Sequence, residues 1–332
     1  MFTKKIFKSV KLLINSVRRY NVTVVGGASE LGQVVSLLLR GEPAVTKLTL
    51  HDTVPRTSGV LMDLSHIPSP SLLACYKQED NLMKALLDAD IVLVTGGHLL
   101  SPDVPKDDLV ATNTNFIKQI APKISSIRPM PLIGIVTEPI HILVPMAAEI
   151  MKCYGHLDSK KLFGVTGIDS LRAQAIYAGM LNLHPQKCSV PVICGHTENT
   201  IVPLLSQAEP SRKLDFRRMQ DFLRKVRQSD ELILTAKCGF APSLSIAYSV
   251  LIFTRALMAA LDGKENTKVD AFIENNDFGT SYFGGRVRLN HEGVAEMERY
   301  PTMSEGECEL LQASVSKLRA DVLTGKKMLE ME

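Results

Sequence analysis

Three residues in this chain have the types and spacing of a reaction centre. Asp169 and Arg172 lie in the run Gly164-Val165-Thr166-Gly167-Ile168-Asp169-Ser170-Leu171-Arg172, and His196 follows in a Gly195-His196-Thr197 turn. A carboxylate can orient an imidazole and stabilise its charged form. A guanidinium offers a planar fork that fits a carboxylate. An imidazole takes or gives a proton near neutral pH. Together they suit hydride-transfer chemistry, in which one group grips the substrate, one moves the proton and one holds the imidazole. Singly, each could be an ordinary residue.

Such a centre needs a dinucleotide beside it, and the upstream sequence supplies the elements. Val22–Val25 is a short β-branched strand. Gly26-Gly27-Ala28-Ser29-Glu30-Leu31-Gly32 follows, and a helical pattern runs from Gln33 to Arg40. Strand, glycine turn and helix place free N–H groups where a pyrophosphate can sit. A second strand, Leu48–His51, ends at Asp52, twenty residues past Gly32. A carboxylate there can accept both ribose hydroxyls and repels a 2′-phosphate, so NAD is expected over NADP. The expected cofactor residues are Gly26, Ser29, Gly32 and Asp52. Ser29 stands at the middle glycine of the turn, where its Cβ is expected to crowd the pyrophosphate, and Glu30 adds a negative charge. The plainer alternative is a βαβ turn with a surface Asp52.

Further strands are expected at Ile91–Thr95 and Pro131–Val136, a loop at His98–Asp108 and a helix at Ile142–Cys153. Asp63-Leu64-Ser65-His66 closes a helix, with His66 structural. Strands alternating with helices predict α/β architecture with a doubly wound parallel sheet. After His196 longer helices take over, at Phe216–Gln228, Ala247–Leu261 and Gly306–Thr324, so a mixed α+β domain is expected. The domains are placed at residues 21–164 and 165–332.

Residues 1–20 carry six basic residues and no acid. Phe2, Ile6, Val10, Leu13 and Val17 make one apolar stripe, and Lys4, Lys8 and Lys11 lie off it. This is the pattern of a mitochondrial transit peptide, with a processing site before Asn21; the alternative is a basic surface helix. Without this segment, 32 basic residues face 35 acidic ones, so the body has a net charge of −3 and offers little to nucleic acid. The six cysteines form no CxxC or metal-ligand cluster, so no metal is expected. Cys194 and Cys238, near the candidate centre, are expected as small buried packing residues. Tyr248–Leu261 is too short, and interrupted by Arg255, for a membrane span.

From Asn21 onward the chain resembles the mitochondrial-type malate dehydrogenases of the lactate/malate dehydrogenase family. The stretches that carry the resemblance are Val22–Gln33, Leu48–Asp52, Gly59–Ile67, Asp107-Asp108-Leu109 with Asn113-Thr114-Asn115, Phe163–Ala173, Pro191–Thr200 and Leu244–Tyr248. The resemblance implies that His196 exchanges the substrate's hydroxyl proton, that Asp169 fixes its imidazole and that Arg172 grips the 1-carboxylate. It also implies NAD as cofactor, a small 2-oxo or 2-hydroxy acid as substrate, with Asn115 at the substrate, and a homodimer in the mitochondrial matrix. No nucleic-acid or membrane partner is expected.

Five stretches depart from that pattern. Leu100 stands at the loop arginine that binds the distal carboxylate of malate, and Lys106 at the one that polarises the carbonyl. Glu138-Pro139-Ile140-His141 replaces the Asn-Pro-x-Asn turn that meets nicotinamide and substrate, so Glu138 is placed at the cofactor. Lys237-Cys238-Gly239-Phe240-Ala241-Pro242 replaces a run of small residues, and Ser29 a glycine. A charged hydrogen bond contributes about 1.5–3 kcal/mol and an unpaired buried charge costs roughly 2–5 kcal/mol. Loss of the Leu100 contact is thus expected to slow dicarboxylate turnover by roughly a hundredfold or more. The expectation is a malate dehydrogenase with impaired activity. The alternatives are a dehydrogenase for another 2-hydroxy acid, with Leu100 facing an apolar tail, or a catalytically weak relative retained as a binding or structural partner.

Overall fold

The computed structural model describes residues 20–328. Its first half carries β1 (Tyr20–Val25), β2 (Val45–Asp52), β3 (Leu72–Lys77), β4 (Ile91–Val94), β5 (Leu132–Ile135) and β6 (Leu162–Gly164). These pair in parallel in the order β3-β2-β1-β4-β5-β6. This is a Rossmann-type sheet, whose strand order reverses between β1 and β4 and leaves a crevice at their carboxyl ends. The strands are runs of Val, Ile and Leu because both faces are covered; every residue of β4 and β5 is buried.

Helices α1 (Glu30–Arg40), α2 (Thr57–Ser65), α3 (Leu82–Leu86), α4 (Lys106–Ser125) and α5 (Ile140–Tyr154) alternate with the strands. One core joins Ile117, Ile120, Leu143 and Val144 of α4 and α5 to the sheet. Another joins Leu31, Val35 and Leu39 of α1 to the sheet. α1 starts at Glu30, earlier than the periodicity predicts, because Ser29 caps it: Gly32 N donates to Ser29 Oγ at 2.9 Å.

The second half contains α6 (Gly167–Leu181), β7 (Val192–Cys194), β8 (Ile201–Pro203), α7 (Phe216–Arg227), α8 (Ser229–Ala236), α9 (Leu244–Leu261), β9 (Lys268–Glu274), β10 (Tyr282–Asn290), β11 (Gly293–Met297) and α10 (Glu305–Lys327). It is a mixed α/β unit that extends the first sheet. β9 joins β6 antiparallel at Phe272 and Gly164, then pairs with β10. α10 packs on α5.

Two expectations need correction. The targeting segment lies outside the described residues except at its end, and there Tyr20 belongs to β1. Its ring is 1% exposed, and its hydroxyl lies 2.6 Å from Asp262 Oδ1 and 3.0 Å from Met258 O. A boundary before Asn21 therefore cuts into the fold. α9 is also longer and more apolar than expected: its 18 residues, mean hydropathy 1.8, are enough by length and composition to cross a membrane. Half of that window is buried, and Val250, Phe253 and Leu257 belong to the core shared with α1, so α9 is a core helix of this fold.

Candidate active site

Asp169 and Arg172 sit three residues apart in the first turns of α6, which puts both on one face. Arg172 Nη1 is 3.9 Å from Asp169 Oδ1. His196 leaves β7 on a tight turn. Cys194 holds φ +85, a region costly for a side chain, and Gly195 N donates to Thr200 O at 3.1 Å. A methyl group on Gly195 would stand 2.3 Å from Thr200 Oγ1, so only glycine fits before the histidine. This turn brings His196 Nδ1 to 2.5 Å from Asp169 Oδ2. All three side chains are at most 8% exposed. Asp169, Arg172 and His196 thus converge on one point.

Glu138, expected at the cofactor, lies on the imidazole. Its Oε1 is 2.9 Å from His196 Nε2, and its Oε2 accepts from Ile140 N at 3.0 Å. That N–H opens α5, whose amino end favours a negative charge. The imidazole is therefore held between two carboxylates. Burial works against its charge, but Asp169 and Glu138 override burial and raise its pKa well above the usual histidine value. His141, one turn on, goes the other way: burial lowers its pKa, although Asp321 lies 3.7 Å from its Nε2.

Arg172 is occupied in the same manner. Its Nη2 forms a very short ion pair with Asp230 Oδ1, in the first turn of α8, while its Nε is buried without a partner among the described residues. Nothing in the sequence marks Asp230 for this position; Ser229-Asp230-Glu231 reads only as a helix start. Glu138, Asp169 and Asp230 thus surround the Arg172 guanidinium and the His196 imidazole.

The loop and α4 contribute less than expected. Leu100 is half-buried, and Lys106 is exposed at the first position of α4. Among the described residues neither is bonded to Arg172 or His196. Asn115 is exposed, and the inward-facing asparagine is Asn113. Asn113 is 0% exposed, donates to Glu138 O at 2.7 Å and to His98 O at 2.9 Å, and accepts from His98 N at 2.7 Å. Two positions along a helix turn a side chain by about 200°, so Asn113 and Asn115 cannot share a face. Asn113 therefore ties the start of the loop to the Glu138 turn. The loop's Pro102 meets the Lys237–Pro242 segment, since a methyl group on Gly239 would stand 3.2 Å from its Cγ. Cys194 is buried, with its thiol pushed up to about 12 by burial. Cys238 is exposed, against expectation. No group of His, Cys, Asp and Glu among the described residues could hold a metal.

The crevice between β1 and β4 fits a dinucleotide. Gly26 holds φ +87, and a methyl group on it would lie 2.1 Å from Gly96 Cα; one on Gly32 would lie 2.0 Å from Gly26 O. Asp52 ends β2 and accepts from Ala28 N at 2.9 Å and Thr53 N at 2.8 Å. Ser29 has φ −64, which needs no glycine, and its hydroxyl turns back to Gly32 N and Thr95 O, each at 2.9 Å. The N–H groups of Glu30 and Leu31 have no protein partner among the described residues, and these are the ones a phosphate needs. Glu30 Oε1 accepts from Ser243 Oγ at 3.0 Å.

Comparison with known proteins agrees with this geometry. Residues 20–164 match the NAD binding domain of lactate/malate dehydrogenases, and residues 166–329 match their alpha/beta C-terminal domain. The chain belongs to the lactate/malate dehydrogenase family. Its cofactor is NAD. Among curated relatives, the malate dehydrogenase of Vibrio campbellii is 36% identical over 92% of this chain and 98% of its own length. Malate dehydrogenase 2, mitochondrial, of Arabidopsis thaliana is 34% identical over 94% of this chain and 92% of its own. The fold is shared with Cryptosporidium parvum malate dehydrogenase, at TM-score 0.79 and 19% identity over 93% of this chain and 99% of that one. It is shared equally with Eimeria maxima lactate dehydrogenase, solved with NADH and oxamate, at TM-score 0.80 and 18% identity over 95% and 97%. Family membership makes the chain an oxidoreductase for a small substrate.

Proposed function

We propose that this chain is an NAD-dependent malate dehydrogenase with impaired turnover of malate and oxaloacetate. The observation that carries this reading is the 2.5 Å pair between His196 and Asp169, beside the buried guanidinium of Arg172. NAD, when bound, accepts or returns the hydride. Gly26, Ser29, Gly32 and Asp52 frame its crevice, with Glu138 at the inner end. Arg172 holds the 1-carboxylate of the substrate. His196 moves the hydroxyl proton at Nε2, and Asp169 holds the imidazole at Nδ1. Lys106 supplies a cation towards the carbonyl without the fork of an arginine. Leu100 offers nothing to a distal carboxylate, and Glu138 occupies the atom through which the proton must pass. These two residues are the source of the impairment.

Asn115, from its exposed position, has no part in this scheme, and Asn113 takes the positioning role. The basic, acid-free residues 1–20 and the mitochondrial relatives of Arabidopsis support a mitochondrial matrix location. Leu244, Tyr248 and Ile252 recur every four residues along α9 and are 68%, 51% and 37% exposed, an apolar stripe that supports a homodimer. Leu100 favours a second reading, a 2-oxo monocarboxylic acid with an apolar tail as the preferred substrate.

The test is loss of NADH absorbance with oxaloacetate, and then with monocarboxylic 2-oxo acids, using the full chain. A slow rate on oxaloacetate, abolished by His196→Asn, is expected. Rates equal to that variant's on every acid would sink the enzyme reading and leave a binding or structural partner.

A further inference from the structure

We propose that Asp230 is an internal competitor for the carboxylate site, so that a 2-oxo acid binds only by displacing it from Arg172. This rests on the reading of Arg172 as the substrate's carboxylate grip and adds to it a residue that sets specificity. The Arg172 side chain is 8% exposed and one tip of its fork is occupied: Nη2 pairs with Asp230, Nη1 lies 3.9 Å from Asp169 Oδ1, and Nε has no partner among the described residues. A carboxylate is what such a fork is shaped to take, and here the protein supplies one of its own.

The Asp230 side chain is 42% exposed, so it can swing into solvent when another anion arrives. Its backbone is fixed. Asp230 lies in the first turn of α8, and the preceding Ser229 hydroxyl donates to Lys225 O at 2.7 Å, which ties the start of α8 to the end of α7. A side chain tethered within bonding reach acts at an effective concentration of at least the millimolar order. Free carboxylate must therefore reach about the millimolar range before it competes on level terms. Glu138 repeats the arrangement on His196. Both groups that a 2-oxo acid would engage, the guanidinium and the imidazole Nε2, are already held by carboxylates of the protein.

If Asp230 served only to hold α8 in place, its removal would loosen the fold and leave anion affinity unchanged or weaker. As a competitor, its removal tightens binding. The experiment is calorimetric titration of the full-length chain with oxamate, with and without NADH, for wild type, Asp230→Asn and Asp230→Asn with Arg172→Gln. The single variant is expected to bind oxamate at least tenfold tighter than wild type, with the gain lost in the double variant. In turnover, the gain appears as a lower KM for the 2-oxo acid. Wild-type affinity in Asp230→Asn, or a gain that survives loss of Arg172, would overturn the proposal. The titration of NADH alone tests the cofactor reading separately. If NADH fails to bind, that reading falls, and the oxamate comparison still decides the role of Asp230.

Discussion

The two sides of the cleft are built differently. The cofactor side is a matter of backbone: Gly26 and Gly32 are required because other main-chain atoms lie where a side chain would go. The substrate side is a matter of side-chain charge, and there the protein's own carboxylates, Glu138 and Asp230, sit on the imidazole and the guanidinium. Backbone crowding is tied to the packing of the whole sheet, so a change at Gly26 disturbs the fold. Charge on exposed or half-buried side chains is not so tied, and the chemistry of the pocket can be rewritten while the strands and helices stay put.

The largest expected effects separate the two sides. Gly26→Ala forces a methyl group against Gly96 at φ +87. The strain and overpacking together should cost about 3 kcal/mol or more, read as a lower denaturant midpoint, with loss of NADH binding. On the substrate side, Leu100→Arg, Lys106→Arg and Glu138→Asn combined should lower the midpoint by less than Gly26→Ala does, the loss coming from the Glu138–His196 pair. They should raise kcat/KM on oxaloacetate by more than roughly a hundredfold, from two charged contacts regained and one repulsion removed. A large drop in stability from the triple variant, or no gain in rate, would erase the distinction.

A middle-sized effect concerns pH. His196 is raised because two carboxylates outweigh its burial. Removing one opposite charge lowers such a group by roughly one unit or more. Malate oxidation requires neutral imidazole, so Glu138→Gln should move the rising limb of that rate to lower pH by about one unit. Stability follows the same sign. The imidazolium contribution is fully present below the ordinary histidine value of 6.5 and is lost as pH rises through the raised one. In Glu138→Gln this contribution should be smaller and its alkaline loss complete at a lower pH, as denaturant midpoints measured from about pH 6 to about pH 10 would reveal. Coincident profiles would mean that Glu138 does not govern the proton on His196.

The contrast also explains what was legible in the sequence. The parallel sheet could be read because each strand is a contiguous apolar run with a glycine or helix signal after it. Asp169, Arg172 and His196 could be read because a turn, a helix face and three chemical types coincide. Asp230 could not, because it meets Arg172 across 58 residues of chain and its neighbourhood carries only a helix-start pattern. Glu138 was visible as an intrusive charge, but its bond to Nε2 depends on the Ile140 N–H that aims it, which is a matter of three-dimensional placement. Asn113 and Asn115 differ only in helix phase, which the start of α4 at Lys106 sets and the local sequence leaves open.

The smallest effect decides whether the cofactor side has any weakness at all. By sequence, the Cβ of Ser29 crowds the pyrophosphate, and Ser29→Gly should then tighten NADH. By structure, the residue has φ −64 and its hydroxyl caps α1 while leaving the Glu30 and Leu31 N–H groups open. A cap changed to glycine costs only a few tenths of a kcal/mol, roughly, and one changed to alanine about 1 kcal/mol. Ser29→Ala should therefore lower stability more than Ser29→Gly, and neither should move the NADH dissociation constant by more than about threefold, since 1.4 kcal/mol is needed for a factor of ten. A tenfold gain in Ser29→Gly would put a defect on the cofactor side as well, and the two sides of the cleft would no longer differ in kind.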